Sequence, residues 1–227
     1  MFDDEAMLDV AIRRADATTA VDLGHRGAPT LPVAGALSAV LPDGLRRGST
    51  VSVTGSISLL LALLGAASAG GAWCALVGLP RVSAEAACEY GIELSRLAVI
   101  TAPGSGWTTA VGALLDAVDV VAARPPPARG AIAPGDVRRL AARARSRDAV
   151  LVPYGEWPGA DVRLRAGSGR WSGIGAGTGR LRARQLTVTA EGRGAAARPR
   201  AADLWLPAAA GGSATAETLA PVVELVS

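Results

Sequence analysis

The side chains in this chain that can do chemistry are few and one-sided. All 23 basic residues are arginine and none is lysine, so any reaction that needs a lysine from this chain is excluded. His25 is the only histidine, and Cys74 and Cys88 are the only cysteines. No Cys/His cluster has the spacing of a zinc site, and no Cys-His pair lies close in sequence. The two cysteines have apolar neighbours and read as packing residues rather than a reactive pair. Arginine remains, and it is good at holding anions. Residues 1–122 carry 7 arginines and 12 acids, a net of −5, whereas residues 123–227 carry 16 and 8, a net of +8. Such a basic half suits phosphates or an acidic partner surface, as well as ordinary solvated faces.

Within that half the arginines fall into two groups. In "DVRRLAARARSRD", Arg139, Arg143 and Arg147 recur at i, i+4 and i+8, one line along a helix. Arg163, Arg165, Arg170, Arg180, Arg182 and Arg184 form the second group. If extended, Arg163 and Arg165 share one face, and so do Arg180, Arg182 and Arg184. All nine are candidate contacts for nucleic acid or an acidic partner. Trp157, in "YGEWPG", and Trp171, beside Arg170, are candidates for exposed interface contacts. Trp73, Trp107 and Trp205 are expected to pack.

The elements that must position these residues alternate between strand and helix. Asp3 to Asp16 reads as an amphipathic helix with Leu8, Ala11 and Ile12 on its apolar stripe, a candidate docking surface, followed by a polar linker. Strands are expected at Thr50–Thr54, Trp73–Val77, Leu97–Thr101, Val118–Ala123 and Ala149–Pro153. Between them, helices are expected over Ser58–Ser68, from Ser83 to Tyr90, over Trp107–Ala117 and over Pro134–Ser146. This alternation implies a parallel sheet covered on both faces. After Tyr154 come short strands at Asp161–Arg165, Arg170–Trp171, Gln185–Thr189 and Leu204–Leu206, an antiparallel extension. Residues 207–227 read as a low-complexity tail, disordered to Ala216 and apolar over Leu219–Val226. No apolar run approaches the roughly 20 residues of a membrane span, and the acidic start lacks the features of a signal peptide, so a cytoplasmic protein is expected.

The order of segments resembles RecA. "LPVAGALSAVLPDGLRRGSTVSVTG", "GGAWCALVGL", "YGIELSRLAVITAPGSGWTTAVGALLDAVDVVAAR", "GADVRLRA" and "RQLTVTAEGRG" carry the likeness over about residues 31–206. It implies an α/β fold with a mostly parallel, helix-flanked sheet and a small antiparallel C-terminal extension. A phosphate loop of that family needs glycines, a lysine and a Ser/Thr for magnesium. Here the loop is "GSISLLLALL": Gly55 survives, the second glycine, lysine and threonine are absent, and Ser56 or Ser58 is more simply an N-cap. Arg124 stands where the resemblance places the magnesium-binding Asp, and Leu79 and Pro80 stand where it places the general base. Three parts of phosphoryl-transfer chemistry are thus missing together. No catalysis, nucleotide, metal or cofactor is expected.

Among degenerate RecA relatives, the chain resembles the ImuA family, especially the ImuA-prime form. The segments compared are "RGSTVSVTGSISLLLALL", "WCALVGLP", "VDVVAARPP", "LAARARSRDAVLV", "WPGADVRL" and "GRLRARQLTV". The resemblance implies a DNA-damage-induced accessory factor of error-prone translesion synthesis. Its partners would be an ImuB-like inactive Y-family polymerase homologue and, indirectly, an error-prone C-family DNA polymerase. A RecA-type interface leaves a homo-oligomer open, and the basic half leaves weak DNA binding open. The alternative is a SulA-like inhibitor of the division GTPase.

Overall fold

A computed structural model describes residues 30–126, 132–175, 178–193 and 197–216. Leu8, Ala11 and Ile12, on the expected N-terminal helix, lie outside the described residues, as does the apolar segment 219–226.

The strands are β1 (Thr30–Leu31), β2 (Leu45–Arg46), β3 (Val51–Thr54), β4 (Cys74–Val77), β5 (Leu97–Ile100), β6 (Val120–Ala123) and β7 (Val150–Pro153). They continue with β8 (Val162–Gly175), β9 (Thr178–Gly192), β10 (Arg200–Trp205) and β11 (Ala214–Thr215). The helices are α1 (Ile57–Ala69), α2 (Ala84–Glu89), α3 (Trp107–Ala117) and α4 (Pro134–Ser146). Three of these four helices start where a local signal directs. Ser56 caps α1 by accepting from Leu59 N, Ser83 caps α2 by accepting from Ala86 N, and Pro134 opens α4.

Four parallel strands form the order β5-β4-β6-β7, and a second run has the order β11-β10-β9-β8-β3. Parallel bridges Thr50–Leu151 and Val53–Tyr154 join β7 to β3, making the two runs one surface. From β5 to β8 the pairing is parallel, and from β8 to β11 it is antiparallel. This is the α/β arrangement expected: a parallel sheet flanked by helices, with an antiparallel C-terminal part.

Strand alternation divides the interior in two. Cys74, Leu76, Val120, Ala122, Val150 and Val152 meet the leucines of α1 and Ala87 of α2 on one face. Ala75, Val77, Val121, Ala123 and Leu151 meet Val111 and Leu115 of α3, and Leu140 and Ala144 of α4, on the other. Leu59 through Leu64 are all buried, so the central turns of α1 are apolar all round and enclosed. Each such leucine contributes about 1.5–3 kcal/mol of burial. Gly65 in the middle of α1 lets the chain pass close by: a Cβ there would lie 1.8 Å from the Tyr90 carbonyl oxygen. Among the described residues, no helix is long and apolar enough to cross a membrane.

Two regions differ from expectation. Three of the short strands foreseen after Tyr154, at Asp161–Arg165, Arg170–Trp171 and Gln185–Thr189, are one long hairpin, β8–β9, because the glycine-rich stretches continue the ladder through irregularities near Ala166–Gly169 and Ser172–Ile174. The strand foreseen at Leu204–Leu206 falls at the end of β10. The tail expected to be disordered from Pro207 is ordered to Ala216. There β11 pairs with β10, Leu204 opposite Thr215 and Trp205 opposite Ala214, and Ala208 is buried.

Asp119 ties the amino ends of the strands together. Its Oδ1 accepts from Arg47 Nη1 at 2.7 Å and its Oδ2 from Trp73 N at 2.9 Å, with the Arg47 and Asp119 side chains 6% and 17% exposed. Arg47 Nη1 also reaches the Asp148 carbonyl at 3.4 Å. Removing one member of a buried pair leaves the other desolvated and costs about 3–5 kcal/mol. Asp119→Ala is expected to lower the urea midpoint accordingly, with Asp119→Asn keeping one of the two acceptor oxygens and falling between. A midpoint for Asp119→Ala equal to the parent's would contradict this role.

The cysteines are both free, Cys74 buried and Cys88 exposed. Burial, then the charge of Asp119, push the Cys74 thiol up to about 12. A thiol reagent applied to the native protein should therefore label Cys88 alone, and Cys88→Ser should abolish labelling until denaturant is added.

Candidate functional site

In an open parallel sheet, ligands gather at the carboxyl ends of the strands. Here that end is closed by the protein's own groups. β3 stops at Thr54 and α1 starts at Ile57, so only Gly55 and Ser56 connect them. Gly55 has a left-handed φ of +86°, and a Cβ on it would lie 2.2 Å from the Ala166 carbonyl oxygen of β8. The turn is therefore pressed against the neighbouring strand. Ser56 is buried, with its Oγ already engaged by Leu59 N at 3.3 Å, and Ser58 is half-buried one position into the helix. Ser56 thus serves as the cap.

Arg124 follows β6 at the same end. Its backbone N–H donates to the Val77 carbonyl at 2.8 Å, and its guanidinium lies 5.8 Å from the ring centroid of Tyr154. Leu79, after β4, is buried. Trp107 and Trp157 fill the core behind them, with ring centroids 6.3 Å apart at 48°. Trp157, expected at an exposed contact, is only 3% exposed. The loop "YGEWPG" turns its tryptophan inward because the gap between α3 and the end of β7 takes a large apolar ring, whereas Glu156 faces solvent. Trp171 is 45% exposed.

The nine candidate arginines separate by their partners. On α4, Arg139 pairs with Asp136 at 2.6 Å. Arg143 donates through Nε at 2.9 Å and through Nη2 to the Asp116 carboxylate, and Arg147 Nε donates to the same group at 3.0 Å. The line foreseen on the helix exists, and it faces carboxylates of its own fold. Arg165 on β8 pairs with Glu156 at 3.2 Å, and Arg163 is exposed.

Arg170, Arg180, Arg182 and Arg184 lie together on the distal half of the β8–β9 hairpin. β3 accompanies β8 only as far as Arg165, and β10 accompanies β9 only over Gln185–Ala190, with backbone bonds of Arg184 to Leu206 and Pro207 just beyond. From there the hairpin continues as a two-stranded arm beyond the carboxyl end of the sheet. Trp171 stands directly opposite Arg184, whose guanidinium lies 5.8 Å from the indole centroid.

A second basic feature escaped the sequence reading. A cleft of about 430 Å³ opens at the amino ends of β3 and β8, lined among others by Arg46, Arg145, Arg193, Arg200, Asp43 and Asp161. Asp161 is committed to the fold, accepting from Thr50 N at 2.9 Å. These arginines come from four separate segments. Their only trace in the sequence is the charge excess of the second half, with Arg46 not even in it.

Comparison with known proteins places this geometry in a family. A model of the MT3502 N-terminal domain matches residues 39–159, and the chain belongs to that family. The matched span runs from just before β2 to the loop after β7, so the β8–β9 arm lies beyond it. The chain is also 36% identical over 126 residues to the uncharacterized protein Rv3395c of Mycobacterium tuberculosis. That match covers 55% of this chain and 61% of the relative.

The Asp116 network gives a pH signature. The Arg143 hydrogen bond holds the Asp116 carboxyl below its ordinary range, with the charges of Arg143 and Arg147 adding to the effect. A carboxylate depressed in the folded state stabilises above its unfolded pKa, and the stabilisation disappears as pH falls through the folded value. Asp116→Asn should be less stable than the parent by about 0.5–1 kcal/mol at neutral pH, the scale of partly exposed pairs. The gap should close on acidification below the usual carboxylate range, measured by chemical denaturation at a series of pH values.

Proposed function

We propose that this chain is a non-catalytic, RecA-like accessory protein of a DNA-damage-induced, error-prone translesion synthesis complex. It would act as a scaffold that binds an inactive Y-family polymerase homologue and, through it, an error-prone C-family DNA polymerase. The observation that carries the non-catalytic part is the closed β3–α1 turn. Two residues between strand and helix, with Gly55 against the Ala166 carbonyl, leave little backbone to wrap a phosphate. The Arg124 guanidinium over Tyr154 supports the same reading, since a cation there opposes magnesium. The translesion context rests on the resemblance of "VDVVAARPP", "WPGADVRL" and the other segments to the ImuA family.

Affinity capture of the tagged chain from DNA-damaged cells, with mass spectrometry of the captured proteins, tests the partner. Recovery of the inactive polymerase homologue is the expected result. Recovery of the division GTPase without any polymerase would replace this reading with a division inhibitor. Measurable ATP turnover by the purified chain would overturn the non-catalytic assignment.

A further inference from the structure

The β8–β9 arm has a composition unlike the rest of the molecule. Residues 166–184, beyond the parts bonded to β3 and β10, contain four arginines and no Asp or Glu. Arg165, just before them, is paired, as described. Among the described residues, Arg170, Arg180, Arg182 and Arg184 have no carboxylate within ion-pairing distance. The same arm carries the three most exposed large apolar side chains near these cations: Trp171, Ile174 at 58% and Leu181 at 51%. Its backbone is stripped of side chains in several places, and this is structural. At Gly173, with φ +112°, a Cβ would lie 2.3 Å from the Arg180 carbonyl oxygen. At Gly169 it would lie 2.6 Å from Arg184 Nε, so the missing side chain leaves room for Arg184 to lie across the strand toward Trp171.

We infer that this arm is a binding surface for single-stranded nucleic acid, in which Trp171 with Arg184 forms a stacking platform and Arg180 and Arg182 follow the phosphates. Uncompensated arginines on a carboxylate-free ribbon fit a polyanion. The exposed apolar side chains decide which kind. A duplex keeps its base faces inside its own stack, and binding its phosphates would use the arginines while leaving Trp171, Ile174 and Leu181 in water. An unpaired strand offers base faces that stack on aromatic rings without regard to sequence. The inference rests on the arm alone and goes beyond the scaffold reading; the two are decided by different measurements.

The test is fluorescence anisotropy of the full chain with labelled oligothymidine and with a mixed-sequence duplex of equal length, across a salt series. Oligothymidine should bind more tightly than duplex. Each arginine removed by Arg180→Ala or Arg182→Ala should reduce the slope of log affinity against log salt by about 0.7. Trp171→Ala should weaken binding roughly tenfold. Trp171→Phe should restore the affinity and lose the quenching of intrinsic fluorescence by oligothymidine. All four substitutions are on the arm outside the cores, and an unchanged melting midpoint verifies that each variant is folded. Absence of binding to either oligonucleotide would overturn the inference. So would arm variants that bind like the parent, or a duplex bound as tightly as the single strand with no effect of Trp171→Ala.

Discussion

One carboxylate sets the relative heights of the central strands. Asp119 accepts the Trp73 N–H at the entry to β4 and the Arg47 guanidinium before β3, and through Arg47 it reaches the Asp148 carbonyl before β7. Its own carbonyl accepts Val150 N, the first residue of β7. A charge in a nearly dry setting is tolerated only when its lone pairs are engaged by well-placed donors. The geometry that satisfies Asp119 is thus also the geometry that aligns β4, β6, β7 and β3. The hydrophobic faces above and below follow from that alignment, because strand alternation assigns each residue to a side only once the register is fixed.

The two ends of the sheet are built differently. At the amino ends, ionic groups converge around Asp119 and Asp161, and an arginine-lined cleft opens beside them. At the carboxyl ends, the turn at Gly55, the stacked Arg124–Tyr154 pair and the buried Trp107–Trp157 pair leave apolar and cationic groups where an α/β sheet ordinarily receives a ligand. The arm grows from this closed end. The family match ends at residue 159, yet β8 is bonded to β3 from Val162 to Arg165, so the unmatched part is continuous with the matched sheet.

Much of the helical framework was legible because its signals are local. Ser83, Pro134 and the apolar spacing of Trp107–Ala117 mark helix starts and lengths that tertiary packing did not alter. The central strands were legible as short apolar runs for the same reason. The arm was visible only in pieces. Gly167, Gly169 and Gly173 signal turns in a sequence, whereas here they permit bulges and close strand approach within one ladder. The fate of Trp157 and the pairing of β11 depend on gaps left by distant elements, which no local pattern encodes. The arginine groups on α4 and on the arm looked alike in sequence. They differ because Asp116 and Asp136 come within reach of one, whereas among the described residues no acid comes within reach of Arg170, Arg180, Arg182 or Arg184 in the other.

Among the described residues, no strand pairs with either long edge of the arm, a feature that invites neighbouring chains to add strands. Two arms of this protein approaching edge to edge would bring like charges together before any backbone bond could form. Guanidinium repulsion therefore favours separate molecules in dilute buffer, and it fades when salt shortens the Debye length or an anion covers the cations. Solubility and ligand recognition are in this way set by the same few side chains. Neutralising them for one purpose would change the other, and the colloidal behaviour of the chain would follow the charge state of a ribbon well outside its cores.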